Sequence, residues 1–234
     1  MARMAKRATK ATFVPIHAAG DGAWNWHLVT DALRARGHDV VAVDLPADDE
    51  SAGLWEYADA VVDAVGDRTN VVVVAHSFGG FTGPLVCARS RVSALVMVTA
   101  MIPAPGEPPA DWWANTGYSE ARRDVAVEGD DDISTYYHDV PPELAAEAMR
   151  RQRNHPSERA YGESWPLDAW PDVPTSFLLC RDDRLFPADW MRGLVSERLG
   201  LAPDEIDSGH CPMLSRPVEL AERLEAHAAL ALRR

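Results

Sequence analysis

The sequence predicts one α/β domain: a doubly wound, mostly parallel sheet with a cap inserted over it. Three observations predict it. Short apolar runs alternate with helix-like stretches along most of the chain, the order that a parallel sheet flanked by helices requires. The run Val71-Val72-Val73-Val74 is wholly apolar and β-branched, as a central strand covered on both faces must be. The alternation stops between about residues 104 and 170, a stretch too short to hold much core of its own, and then resumes. A length of 234 residues fits one core, divided as core at about 12–103 and 171–234 with the cap at about 104–170.

Taken in order, strands are expected over residues 13–17, 39–43, 71–75, 94–99 and 175–180, each an apolar run of strand length. Helices are expected over 24–36, 54–65, 78–89, 189–199 and 218–232. The last carries Leu220, Leu224 and Ala228 at four-residue spacing, a helical stripe. Gly37 follows the first helix at the position where a left-handed residue commonly ends one. The cap opens on Pro103, Pro105, Pro108 and Pro109, holds a helical piece over 143–152 and is rich in aromatic side chains. Its Asp130-Asp131-Asp132 patch reads as a solvated turn, since no further ligand types converge on it.

Composition excludes several classes. The formal charge of -13 offers no basic field for nucleic acid. Cys87, Cys180 and Cys211 are odd in number and widely spaced, with no C-x-x-C pair, so reduced thiols in a cytoplasmic protein are expected and no metal site is. Arg3, Lys6, Arg7 and Lys10 make a basic start, but no apolar stretch suited to a signal peptide or a membrane span follows. The high alanine and arginine content points to a GC-rich bacterial source.

The strongest chemical signal is Ala75-His76-Ser77-Phe78-Gly79-Gly80, directly after a strand and before a helix. A serine on such a turn takes a strained backbone, and small residues two positions to either side let the turn close. The turn presents the Ser77 hydroxyl at the carboxyl end of the sheet, where ligands bind in open α/β folds. It also leaves the Phe78 amide at a helix start, free to donate to a developing oxyanion. The competing reading, a simple helix cap at Ser77, explains less of this context.

The second signal is His17-Ala18-Ala19-Gly20-Asp21-Gly22-Ala23-Trp24, a loop of small residues after the first strand. With this loop and the serine turn together, the chain resembles the α/β-hydrolase superfamily. Within it, the chain is similar to the branch of plant methylesterases, hydroxynitrile lyases and small bacterial esterases, which carry H-G-x-x-x-G-x-W and A-H-S-x-G-G. Ala18 departs from that pattern, standing where the family has glycine. The resemblance implies that the Ala19 amide is a second oxyanion donor and that Gly20 and Gly22 keep the loop tight. His17 reads as a structural histidine bonded to backbone.

Two further segments follow the resemblance. In Cys180-Arg181-Asp182-Asp183-Arg184-Leu185-Phe186-Pro187, alignment on Pro187 implies that Asp183 is the triad acid, with Asp182 as the alternative. In Asp207-Ser208-Gly209-His210-Cys211-Pro212, His210 suits the Ser, Asp, His chain order of this fold. His76 should leave its strand on the side away from the serine. Cys211 reads as a small buried residue, not as a nucleophile.

The implied activity is hydrolysis of small carboxylic esters through an acyl-enzyme, without cofactor or metal. Trp112, Trp113 and Tyr136 are candidate walls of the substrate pocket, against the alternative that they glue the cap to the core. A hydroxynitrile lyase is the first rival. The plant lyases have lysine beside the triad histidine, where this chain has Cys211. Lactone or amide cleavage and a non-catalytic small-ligand sensor stay open, as do monomer and dimer.

Overall fold

The computed structural model describes residues 9–123, 131–153 and 156–233. Most of the basic start, Arg3, Lys6 and Arg7, lies outside them, as does Asp130 of the acidic patch. Six parallel strands form one sheet in the order β2-β1-β3-β4-β5-β6. They are β1 (Thr12–Ile16), β2 (Asp39–Val40), β3 (Val71–His76), β4 (Ala94–Val98), β5 (Thr175–Cys180) and β6 (Asp204–Ile206). The register runs Thr12 to Val71, Val72 to Ala94, Leu95 to Thr175 and Leu178 to Asp204. The chain begins at β1, moves out to β2, then crosses back to β3 and continues the other way. That reversal places a topological switch point between β1 and β3, at whose carboxyl edge a crevice opens.

Successive strand residues point to opposite faces, and the two faces bury two separate apolar clusters. On one, Val14, Val71, Val73 and Leu95 meet helices α2 (Leu54–Val65) and α3 (Gly79–Arg89) through Tyr57, Val61, Phe81 and Leu85. On the other, Phe13, Val72, Val74 and Val96 meet α1 (His27–Ala35) and the last helix, Pro217–Ala231, through Val29, Leu33, Leu220 and Leu224. The parallel sheet with helices on both faces is therefore as predicted.

Three local differences have physical reasons. The second strand ends at Val40 instead of residue 43: Val41 still donates to the Phe13 carbonyl, but the Leu45 amide goes to the His17 side chain instead of a strand. The helix expected over 24–36 divides into a 3-10 turn, Ala23–Trp26, and α1. The edge strand β6 was missed, since Asp204-Glu205-Ile206 carries no apolar run and an edge strand needs none on its open side.

Among the described residues between β4 and β5 are five short helices: α4 (Pro109–Asn115), α5 (Tyr118–Arg123), α6 (Asp132–Tyr136), α7 (Pro142–Arg151) and α8 (Glu158–Gly162). Buried indoles fasten this segment to the sheet layers. Trp112 Nε1 donates to the Ile102 carbonyl at 3.0 Å and Trp165 Nε1 to the Phe81 carbonyl at 3.1 Å. Buried Glu107 pairs with Arg198 of α9 (Ala188–Leu199). Among the described residues, no helix is long and apolar enough to cross a membrane.

Candidate active site

The site grows from three loops at the carboxyl edge of the sheet. The first is the turn after β3, where Ser77 holds a φ of 49°, in the left-handed region that side chains rarely adopt. Glycines accommodate the turn. A Cβ on Gly80 would lie 1.9 Å from the Met101 carbonyl oxygen, and one on Gly79 would lie 3.0 Å from that of His17. The Met101 amide in turn donates to the Ser77 carbonyl at 2.9 Å, strapping the turn to the end of β4. Ala75 is tolerated because Gly83 faces it across α3. A Cβ there would come within 2.8 Å of the Ala75 methyl.

The second loop follows β5. Asp183 is buried and its carboxylate accepts four hydrogen bonds. Oδ1 takes the amides of Leu185 at 2.8 Å and Phe186 at 3.0 Å, and Oδ2 takes Thr99 Oγ1 at 2.7 Å and His210 Nδ1 at 2.8 Å. Burial by itself raises the carboxyl pKa. The charge of His210 and its hydrogen bond, with those of Thr99 and Phe186, outweigh burial and hold Asp183 below the usual carboxylate range. The alternative, Asp182, is exposed, and its backbone faces Ser208 and His138.

The third loop follows β6. His210 is buried, and its Nε2 lies 3.1 Å from Ser77 Oγ while Nδ1–H donates to Asp183. The structure thus brings Ser77, His210 and Asp183 into one hydrogen-bonded line. Beneath it, the His76 ring lies 4.9 Å from that of His210, and its Nε2–H donates to the His210 carbonyl at 2.8 Å. Burial, then the charge of His210, pushes His76 down to about 3, so it stays neutral. His17 is likewise structural: Nδ1–H donates to the Ala18 carbonyl at 2.8 Å and Nε2 accepts the Leu45 amide at 3.0 Å.

Ala19 and Phe78 both line the cavity beside Ser77. Among the described residues, neither backbone amide donates a hydrogen bond, so both remain available to an oxygen at the serine. The cavity has a volume of about 440 Å³ and is walled by Met101, Trp113, Tyr136, Tyr137 and Leu185. Of the three predicted wall residues, Trp113 and Tyr136 line it. Trp112 does not: it is fully buried among Trp113, Phe186 and Trp190, with its indole nitrogen bonded to backbone. Cys211 is buried beside the histidine, and burial pushes its thiol well above the usual range. It is a neutral neighbour, in keeping with its reading as a small buried residue.

Sequence reasoning missed Thr99 and Asp139. Thr99 sits at the end of β4 with a φ of 36°, which aims its hydroxyl at Asp183. Asp139 reaches in from the β4–β5 segment, and its Oδ2 accepts the Gly209 amide at 2.8 Å and the Ser208 hydroxyl at 3.2 Å. Neither position belongs to a local motif, so no signal in the sequence could have marked them.

The family model described as "Alpha/beta hydrolase family" matches residues 13–223. Methylesterase 7 of Arabidopsis thaliana is 30% identical, over 91% of this chain and 94% of its own. Norfluorocurarine synthase 1 of a Strychnos species is 24% identical over 91% and 93%. Among solved structures, polyneuridine aldehyde esterase superposes with a TM-score of 0.76 at 22% identity, covering 92% of this chain and 98% of that one. A pyrethroid hydrolase from Sphingobium faniae does so with a TM-score of 0.79 at 22% identity, covering 97% and 100%.

Proposed function

The chain belongs to the alpha/beta hydrolase family, and we propose that it is a serine esterase that cleaves small carboxylic esters through an acyl-enzyme. The observation that carries this reading is the continuous line from Ser77 Oγ to His210 to Asp183, at 3.1 and 2.8 Å, on the floor of an accessible cavity. The named esterases among the similar proteins support ester hydrolysis as the reaction class.

In this reading His210 Nε2 takes the proton of Ser77 as the oxygen attacks the ester carbonyl. Asp183 holds the imidazole in the Nδ1–H tautomer and stabilises the imidazolium that forms. The Ala19 and Phe78 amides donate to the tetrahedral oxyanion, each worth about 3 kcal/mol in the transition state. His210 then returns its proton to the leaving alcohol, and water releases the acid by the same route in reverse. Residues 104–170 act as the cap that closes the cavity over the acyl group. Hydrolysis is favoured over lyase chemistry because the group beside His210, the Cys211 thiol, is neutral and cannot hold a cyanide anion.

The test is hydrolysis of p-nitrophenyl acetate and butyrate by the wild type beside Ser77→Ala. Turnover should fall by at least about 10³-fold in the variant. A Ser77→Ala protein as active as the wild type, or a folded wild type inert on both esters, would overturn the reading.

A further inference from the structure

One buried charge lining the cavity has no part in the proposed chemistry. Asp21 is only 8% exposed, sits two residues beyond Ala19 on the loop after β1 and lines the cavity with Ser77 and His210. Asn25 and Tyr137 lie beside its carboxyl, and His210 and Cys211 face it from the loop after β6. Burial is the largest influence on it and raises its carboxyl to about 6, against the lowering effects of His210, Asn25 and Tyr137. A buried carboxylate that faces a cavity is a candidate for contact with what the cavity binds.

The rest of the lining agrees on what that use is. A second carboxylate, Glu158, stands at the exposed rim near Tyr161. The aromatic residues Phe78, Trp113, Tyr136, Tyr137 and Tyr161 line the same space, and no lysine or arginine is among the described lining residues. Aromatic faces and carboxylates both attract cations and both repel anions. The formal charge of -13 favours the approach of a positive substrate as well.

Resting on the esterase reading, we infer that this cavity selects esters that carry a cationic nitrogen, held against the Asp21 carboxylate and the surrounding rings. A carboxylate-bearing ester is excluded by the same groups. An ionised Asp21 has acceptor capacity to spare beside Asn25 and Tyr137, since a carboxylate offers about four lone-pair sites. Asp21 is therefore a specificity-determining residue and not a participant in proton transfer.

The experiment compares acetylcholine with 3,3-dimethylbutyl acetate, its neutral carbon isostere. The wild type should favour the cation by at least about tenfold in kcat/KM. Asp21→Asn should bring the ratio to within about threefold of one, mainly through KM. A wild-type ratio of one or below, or a ratio untouched by Asp21→Asn, overturns the inference. Calorimetry of choline and 3,3-dimethyl-1-butanol on Ser77→Ala gives a readout without turnover. About tenfold tighter binding of choline supports the inference, and equal binding overturns it even if neither ester is cleaved. Failure of the esterase reading shows separately, as a wild type inert on p-nitrophenyl acetate.

Discussion

The serine turn and the histidine loop meet across 3.1 Å, yet they are built in different ways. The turn is held by close packing against fixed backbone and by the Met101 amide on the Ser77 carbonyl. Gly79, Gly80 and Gly83 let β3 and α3 close around a strained Ser77, and the neighbouring atoms are mostly fixed backbone or sheet-facing side chains. The histidine loop is held from outside. Asp139 binds the Gly209 amide and the Ser208 hydroxyl, and His76 donates to the His210 carbonyl. A Cβ on Gly209 would meet the side chains of Asp139 and His138 at 2.6 Å, not backbone. A nucleophile positioned by backbone is hard to move. A base positioned by remote side chains can be shifted by changing residues far from it in sequence.

That contrast can be broken in three places. The largest effect is expected at Gly80→Ala, whose added methyl would lie 1.9 Å from a backbone oxygen with no side chain to move aside. It should cost more than about 4 kcal/mol, read as loss of a cooperative thermal transition or of soluble protein. A stable, active Gly80→Ala would mean the turn has slack that its geometry does not suggest. Next is Asp139→Ala, which leaves the Gly209 amide without its acceptor. We expect about 1–3 kcal/mol lost in denaturant unfolding. We also expect kcat to fall about tenfold with KM little changed, as for lost orientation of the base. Unaltered kcat would place the hold on His210 in His76 and Asp183 alone.

The third effect is at Asp21→Asn, and it depends on pH. The Asp21 carboxyl titrates near 6 in the folded chain against 3.8 as a reference. The fold therefore holds that proton more tightly than the unfolded chain does. Its destabilising contribution is absent below 3.8, grows as pH rises to about 6 and is constant above. Removing the charge should stabilise the protein by up to about 3 kcal/mol at pH 8 and by little near pH 4, measured as the difference in unfolding free energy between variant and wild type. Equal stability at both values would remove the stability cost of Asp21, which separates it from the rest of the triad's surroundings.

The two regions also differ in how legible they were. The serine turn could be read directly, because strand, serine, glycines and helix lie in one continuous stretch, Val71 to Arg89, and each has a local backbone requirement. Asp183 was named only through the resemblance, with Asp182 beside it as the alternative. What separates them is burial: Asp183 is sealed between Thr99 and His210, and Asp182 faces solvent. The β4–β5 segment was read least well. Adjacent Trp112 and Trp113 look equivalent in sequence, but they point to different sides of a short helix. One fills the core and the other faces the cavity.

By itself the sequence determined the alternation of strands and helices, the parallel sheet and the turn that carries Ser77, since these follow from apolar period and from conformations that only small residues allow. Only the tertiary structure decided which carboxylate meets His210, which aromatic rings face the cavity, and that Asp139 and Thr99 support the site. Those are matters of burial and of contacts between residues up to 84 apart, such as Thr99 with Asp183. No local preference encodes such a contact. It exists only once the sheet has brought its strand ends together.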